Sequence, residues 1–138
     1  MIDIRQVIII RKDLNMRQGK SCSQASHASM LSLLKMMRKM YVKDNHGNET
    51  IILQTEYGKD SYLGEWLEGS FTKICLSCDD EVELLDLYKK ADDDNLPVVL
   101  VTDNGLTEFN GKKTNTCIAI GPASREDIDK ITKHLKLF

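Results

Sequence analysis

The sequence predicts an α/β fold, a single three-layer α/β/α domain on a mixed, mostly parallel sheet of about four strands. Three observations lead there. Apolar, strand-like runs alternate with helix-patterned segments along the chain. The 138 residues suffice for one sizeable core and are too few for two ordinary domains. The first run, "VIIIR" (7–11), is apolar up to its terminal charge, as expected of a strand covered on both faces.

The elements follow in order. From Lys20 to about Met40 no Pro or Gly interrupts a helical composition, and Leu31 and Leu34 start a core stripe that runs on through Met37. Arg38 lies at its margin, with its charged end turned to water. "DNHGN" (44–48) is turn chemistry. "ETIILQTEY" reads as a hairpin arm or an irregular excursion, and "SYLGEWLEGS" as a short helix capped by Ser61 and ended by Gly69. "TKICLSC" (72–78) is a strand. Asp79 or Asp80 then caps a helix whose inner side is Val82, Leu84, Leu85, Leu87 and Tyr88. Pro97 starts the strand "VVLVTD" (98–103), and "TCIAIG" (116–121) is another, stopped by Gly121-Pro122. Ser124 and Asp127 approximate a capping box for a last helix from Arg125 to about His134.

Composition narrows the function classes. Apolar residues make up 41% and charged residues 29%, a soluble globular balance. No run of about 18 apolar residues occurs and no secretory signal is read, so a cytoplasmic protein is expected. Cys75 and Cys78 form a CxxC, but Cys22 and Cys117 do not supply the second pair a zinc site needs, and Cys75 lies inside a strand rather than opening a helix. Structural thiols are the expectation. Residues 1–43 carry nine basic side chains against Asp3 and Asp13, so a net charge of −2 hides a basic first third suited to a polyanion or simply to a solvated face.

"MRQGKS" (16–21) sits between the first strand and the first helix, where a phosphate-binding loop would begin. The first glycine of such a loop is replaced by Leu14, which removes the backbone cradle. What remains is position: Lys20 opens a helix just past the carboxyl end of a strand, where α/β sheets place their sites. Lys20, Gln24 and His27 share a helix face at i, i+4 and i+7. For His27 alone, a core histidine bonded to backbone is the commoner role. Asp103 ends a strand and Thr116 begins one. If the first of these strands runs parallel to "VIIIR" and the second antiparallel, ammonium, carboxylate and hydroxyl meet at one sheet edge. No serine or cysteine is set up as a triad nucleophile.

"VIIIRKDLNMRQGKSCSQASHAS" resembles the opening of the type-2 peptidyl-tRNA hydrolases, with Arg11, Asp13, Leu14, Met16, Gly19, Lys20, Gln24, His27 and Ala28 on its pattern. "DNGLTEFNGKKTNTCIAIGPA" is similar to that family's second signature through Asp103, Gly105, Thr107, Gly111, Thr116, Ile120, Gly121 and Pro122, and the ending "IDKITKHLKLF" agrees as well. The match covers residues 5–40 and 72–138. Asn104 stands where the family usually has Ala, and a long stretch before Thr116 leaves Thr114 a competitor for its role. Residues 41–70 follow no family pattern and read as an insertion.

The resemblance implies an enzyme that cleaves the ester between a peptide and the 3′ ribose of tRNA, as a homodimer, with no metal or cofactor required. It carries the catalytic roles to Lys20, Asp103, Thr107 and Thr116, with Gln24, His27 and Thr114 in support. Arg11, Lys12, Arg17, Arg38 and Lys39 are expected on the tRNA backbone. A non-catalytic RNA-binding module is the alternative. It explains the basic first third but gives Asp103 and Thr116 no task.

Overall fold

The computed structural model describes residues 2–138. Ten elements follow in chain order: β1 (Ile4–Arg11), α1 (Gln18–Met36), β2 (Arg38–Lys43), β3 (Glu49–Gln54), α2 (Tyr62–Glu68), β4 (Lys73–Cys78), α3 (Glu81–Asp93), β5 (Val98–Asp103), β6 (Thr114–Ser124) and α4 (Arg125–Thr132). Four strands form the main sheet in the order β4-β1-β6-β5. β1 pairs parallel with β4 and antiparallel with β6, and β5 pairs antiparallel with β6. The sheet is therefore mixed, as expected. Three strands run one way and β6 alone runs against them. Because β6 lies between β1 and β5, only one neighbouring pair is parallel.

β1 is apolar from Val7 to Ile10 because both its faces are covered there. Ile8 and Ile10 pack with Ala28 of α1 and with Val99, Val101, Cys117 and Ala119. Val7 and Ile9 face the other way, into a core with Leu84, Leu87 and Ala91 of α3 and Ile128 and Ile131 of α4. Each helix on that side begins on a side-chain cap: Asp80 accepts from the Glu83 amide and Ser124 from the Asp127 amide. The inner side of α3 is narrower than the apolar pattern suggests. Val82 is 78% exposed and Leu85 also faces water, so Leu84, Leu87 and Ala91, with Tyr88 at the margin, form the packed face.

Two expectations for the first half need correction. The first helix stops at Met36 rather than near Met40, because residues 38–43 pair with 49–54 as an antiparallel hairpin around the Asp44–Asn48 turn. Arg38 and Lys39 are thus strand residues. The core-facing side of α1 is Ser21, Gln24, Ala28 and Ser32, whereas Leu31 is exposed. The small and polar residues let α1 lie close on the sheet: the Ser32 hydroxyl donates to the Gly121 carbonyl at 2.8 Å, and the Cys117 thiol to the Gln24 carbonyl. The short helix capped by Ser61 and ending at Gly69 is present. Among the described residues no helix is long and apolar enough to cross a membrane.

Candidate active site

β1 and β5 run in the same direction, so the start of α1 and the end of β5 reach the same rim of the sheet. There the Lys20 ammonium donates to Asp103 Oδ1 at 2.8 Å and to Thr107 Oγ1 at 2.7 Å. The Lys20 and Asp103 side chains are only 12% and 11% exposed. Asp103 also accepts from Gln24 Nε2 at 3.2 Å and, through Oδ2, from the Gly105 amide at 2.8 Å. The Lys20 ammonium, reinforced by these amide donors, outweighs desolvation and holds the Asp103 carboxyl below its ordinary range. Phe109 closes one side, its ring centroid 5.5 Å from the Lys20 nitrogen.

Thr116 reaches this network by a backbone irregularity. Cys117 faces α1 and Ile118 faces α3, so strict alternation would send Thr116 to the α3 side. Between β5 and β6, however, Val101 pairs with Cys117 and Thr102 with Asn115, which leaves Thr116 as the extra residue of a bulge. Its side chain turns to α1, and its hydroxyl donates to Gln24 Oε1 at 2.5 Å. Gln24 is buried and spans the gap, accepting from Thr116 and donating to Asp103.

The expected residues therefore separate. Lys20, Asp103, Thr107 and Gln24 are brought together. Thr116 is wholly buried behind Gln24 and does not touch Asp103 directly. Thr114 is paired across the strands with Asp103, and its hydroxyl turns to the Lys112 carbonyl. His27 is exposed, because Lys20 and Gln24 lean toward β5 while the helix carries residue 27 outward. Of the basic side chains, Arg11 is tied down by Asp13 at 3.0 and 2.7 Å, the Asn115 carbonyl at 2.9 Å and Glu81 at 3.4 Å. Lys12 pairs with Asp79, and Arg17 pairs through Nε with Glu108. Arg38 and Lys39 are exposed at the opposite end of α1.

Gly105 and Phe109 were not singled out for the site. The glycine was legible in principle, since Asp-x-Gly after a strand is a turn in which the carboxylate can accept from the amide two residues on. Phe109 carries no such signal. Among the described residues no group of three His, Cys, Asp or Glu is placed to hold a metal ion. Cys78 and Cys117 are buried, and desolvation pushes their thiols up to about 12 and about 11, respectively.

Comparison with known proteins places this rim in context. The family described as peptidyl-tRNA hydrolase PTH2 matches residues 4–138. The chain belongs to the PTH2 family. Relatives named peptidyl-tRNA hydrolase include one from Methanocaldococcus jannaschii, 34% identical over 97% of this chain and 99% of its own length. Another, from Sulfurisphaera tokodaii, is 36% identical over 96% and 97% of the two chains. A probable peptidyl-tRNA hydrolase 2 from Dictyostelium discoideum is 34% identical over 99% of this chain, which corresponds to 55% of that protein. A solved protein of unknown function from Agrobacterium tumefaciens shares the fold, with a TM-score of 0.55 at 14% identity over 100% of this chain and 99% of that one. In this PTH2 member the motifs around Lys20 and Asp103 meet at one rim of the sheet, where the two side chains pair at 2.8 Å.

Proposed function

We propose that this chain hydrolyses the ester between a peptide and the 3′ ribose of tRNA. Membership of the PTH2 family supports the reaction class. The observation that carries the residue assignment is the Lys20 ammonium held between Asp103 and Thr107 at the rim of the sheet. A lysine ammonium has three donors, and two are engaged here. The third is free for the oxyanion that forms when water adds to the ester carbonyl. Asp103, anionic at neutral pH, orients the attacking water. The carbon–oxygen bond to the ribose then breaks, the peptide leaves as a carboxylic acid, and a proton from water ends on the 3′ oxygen.

Thr116 and Gln24 are positioning residues in this scheme. They fix the Asp103 carboxylate without touching substrate. Thr107, exposed on the β5–β6 loop, holds the ammonium and borders the space left for the terminal ribose. Lys12 and Arg17 flank the rim and would meet the phosphates of the acceptor end, giving binding that weakens steeply with salt.

Cleavage of labelled peptidyl-tRNA tests the proposal. The expected result is an active wild type and a Lys20→Ala variant slower by about 10²–10³-fold, the usual cost of losing an oxyanion donor, with tRNA binding only modestly weakened. Equal turnover in both would remove Lys20 from the chemistry. tRNA binding without cleavage by the wild type would favour the RNA-binding module.

A further inference from the structure

Across the first turns of α1 from the Lys20–Asp103 notch lies a second concavity. It is a groove of about 440 Å³ walled by Ser21, Cys22 and Ala25 of α1, Ile10 of β1, Cys75 of β4, Met16 of the connecting loop and Phe138. It exists because α1 covers the β1–β6–β5 side of its sheet face, while the β4 side is edged only by residues 136–138, whose Phe138 amide donates to the Cys75 carbonyl. No charged side chain lines it. Behind that wall the Ser21 hydroxyl is closed off from solvent and has no hydrogen-bond partner among the described residues. Buried hydroxyls are rarely left unpaired, because water otherwise solvates them.

We propose that this groove receives the nascent peptide of the substrate, two to four residues away from the ester. This rests on the hydrolase reading. The argument is one of reach and charge. The helix separating the groove from the notch is about 10–12 Å across, and an extended peptide advances about 3.3–3.6 Å per residue. Peptide residues beyond the esterified one therefore span that distance. The terminal adenine is polar along its edges and would lose its hydration in this apolar groove. Earlier nucleotides would bring phosphates into a groove with no cation. Apolar side chains would fill the space between Ile10, Met16 and Cys75.

Two measurements test this. The first compares kcat/KM for peptidyl-tRNAs carrying Leu or Gly at the second to fourth residues from the ester. The Leu substrate should be preferred by about tenfold or more in the wild type, the scale expected for burying one leucine side chain. The Cys22→Phe variant, which fills the groove from its open side, should bring that ratio close to one. A wild-type ratio near one, or a ratio unchanged in Cys22→Phe, overturns the proposal. The second does not need turnover. Cys22 is the exposed thiol, and its alkylation by N-ethylmaleimide should slow at least fivefold in millimolar N-acetyl-trileucine amide but not in N-acetyl-triglycine amide. Equal rates overturn the groove assignment. Absence of cleavage with either tRNA substrate, but with leucine-specific protection intact, would defeat the hydrolase reading and leave a peptide groove.

Discussion

Lys20 and Asp103 stand 83 positions apart in the chain and 2.8 Å apart in space, with neither side chain more than about an eighth exposed. Such a pair acts as a unit. Removing the lysine strips the carboxylate of its strongest partner, and removing the charge of the aspartate frees the ammonium to move. Lys20→Ala and Asp103→Asn should each lower kcat/KM by about 10²–10³-fold, and the double variant should be no more than about tenfold worse than the poorer single variant. A fully multiplicative loss, measured on the same peptidyl-tRNA, would mean that the two groups work independently.

Thr116 and Gln24 make a different prediction because the threonine never meets solvent. Thr116→Val leaves Gln24 Oε1 without its donor inside the protein, and should lower unfolding stability by about 1–3 kcal/mol in urea titrations. The kcat should fall while KM holds, and Thr116→Ser should restore most of both. Gln24→Glu is harsher, since it sets a second carboxyl about 3.2 Å from Asp103. Like charges at that distance do not both ionise readily, so the variant should retain most activity at acid pH, where the introduced carboxyl is protonated.

The Asp103 carboxyl is held low chiefly by Lys20. A depressed folded-state pKa contributes stability above the ordinary carboxylate pKa, about 3.9, and that contribution is lost as pH falls through the lower folded value. The wild-type site should therefore keep its charge pattern through mild acid. In Lys20→Ala the Asp103 titration should move upward, as read from its carboxyl carbon resonance. An unmoved titration would show that the amide donors of Gly105 and Gln24 dominate instead.

Much of this was legible in the residues, for reasons that can be named. The β5 boundaries followed from Pro97 and the polar turn after Asp103, and the caps at Ser61 and Ser124 from local hydrogen-bond chemistry. The meeting of Lys20 with Asp103 was conditional on strand direction, which the residues do not state and which the pairing of β1 and β5 with β6 supplies. What failed was what depends on tertiary context. Helical composition carried the first helix past Met36 because nothing local forbids it, and only pairing with residues 49–54 ends it. His27 shares a helical phase with Lys20 and Gln24, yet the helix rests on smaller residues and turns it outward. Thr116 needed a bulge that no local pattern announces.

Gly105 connects the loop to the site. Its φ is +82°, and a Cβ there would lie 2.2 Å from the Lys112 carbonyl oxygen. The left-handed conformation alone costs a side chain about 1–2 kcal/mol, and the clash adds to it. Gly105→Ala should shift the loop, so that the amide leaves Asp103 Oδ2 and Thr107 leaves Lys20. Thermal unfolding should register a modest loss, while kcat falls at least tenfold. Wild-type turnover in this variant would show that the loop's hold on Asp103 is dispensable.

Arg38 and Lys39 test how far the substrate extends. Met36 lies sixteen helical steps beyond Lys20, about 24 Å at 1.5 Å per residue, so the hairpin base is too distant to touch the ester and near enough to meet the acceptor arm. Both side chains are exposed on a hairpin whose strands pair with each other rather than with the main sheet. Arg38→Ala/Lys39→Ala should raise KM for full-length peptidyl-tRNA several-fold, leave kcat alone, and flatten the plot of log affinity against log salt by about one to two, one for each lost phosphate contact. Lys12→Ala/Arg17→Ala, at the rim, should act on the same slope. If the hairpin pair leaves both KM and slope untouched while the rim pair moves them, the tRNA departs from the site away from α1, and the exposed basic hairpin serves something other than this substrate.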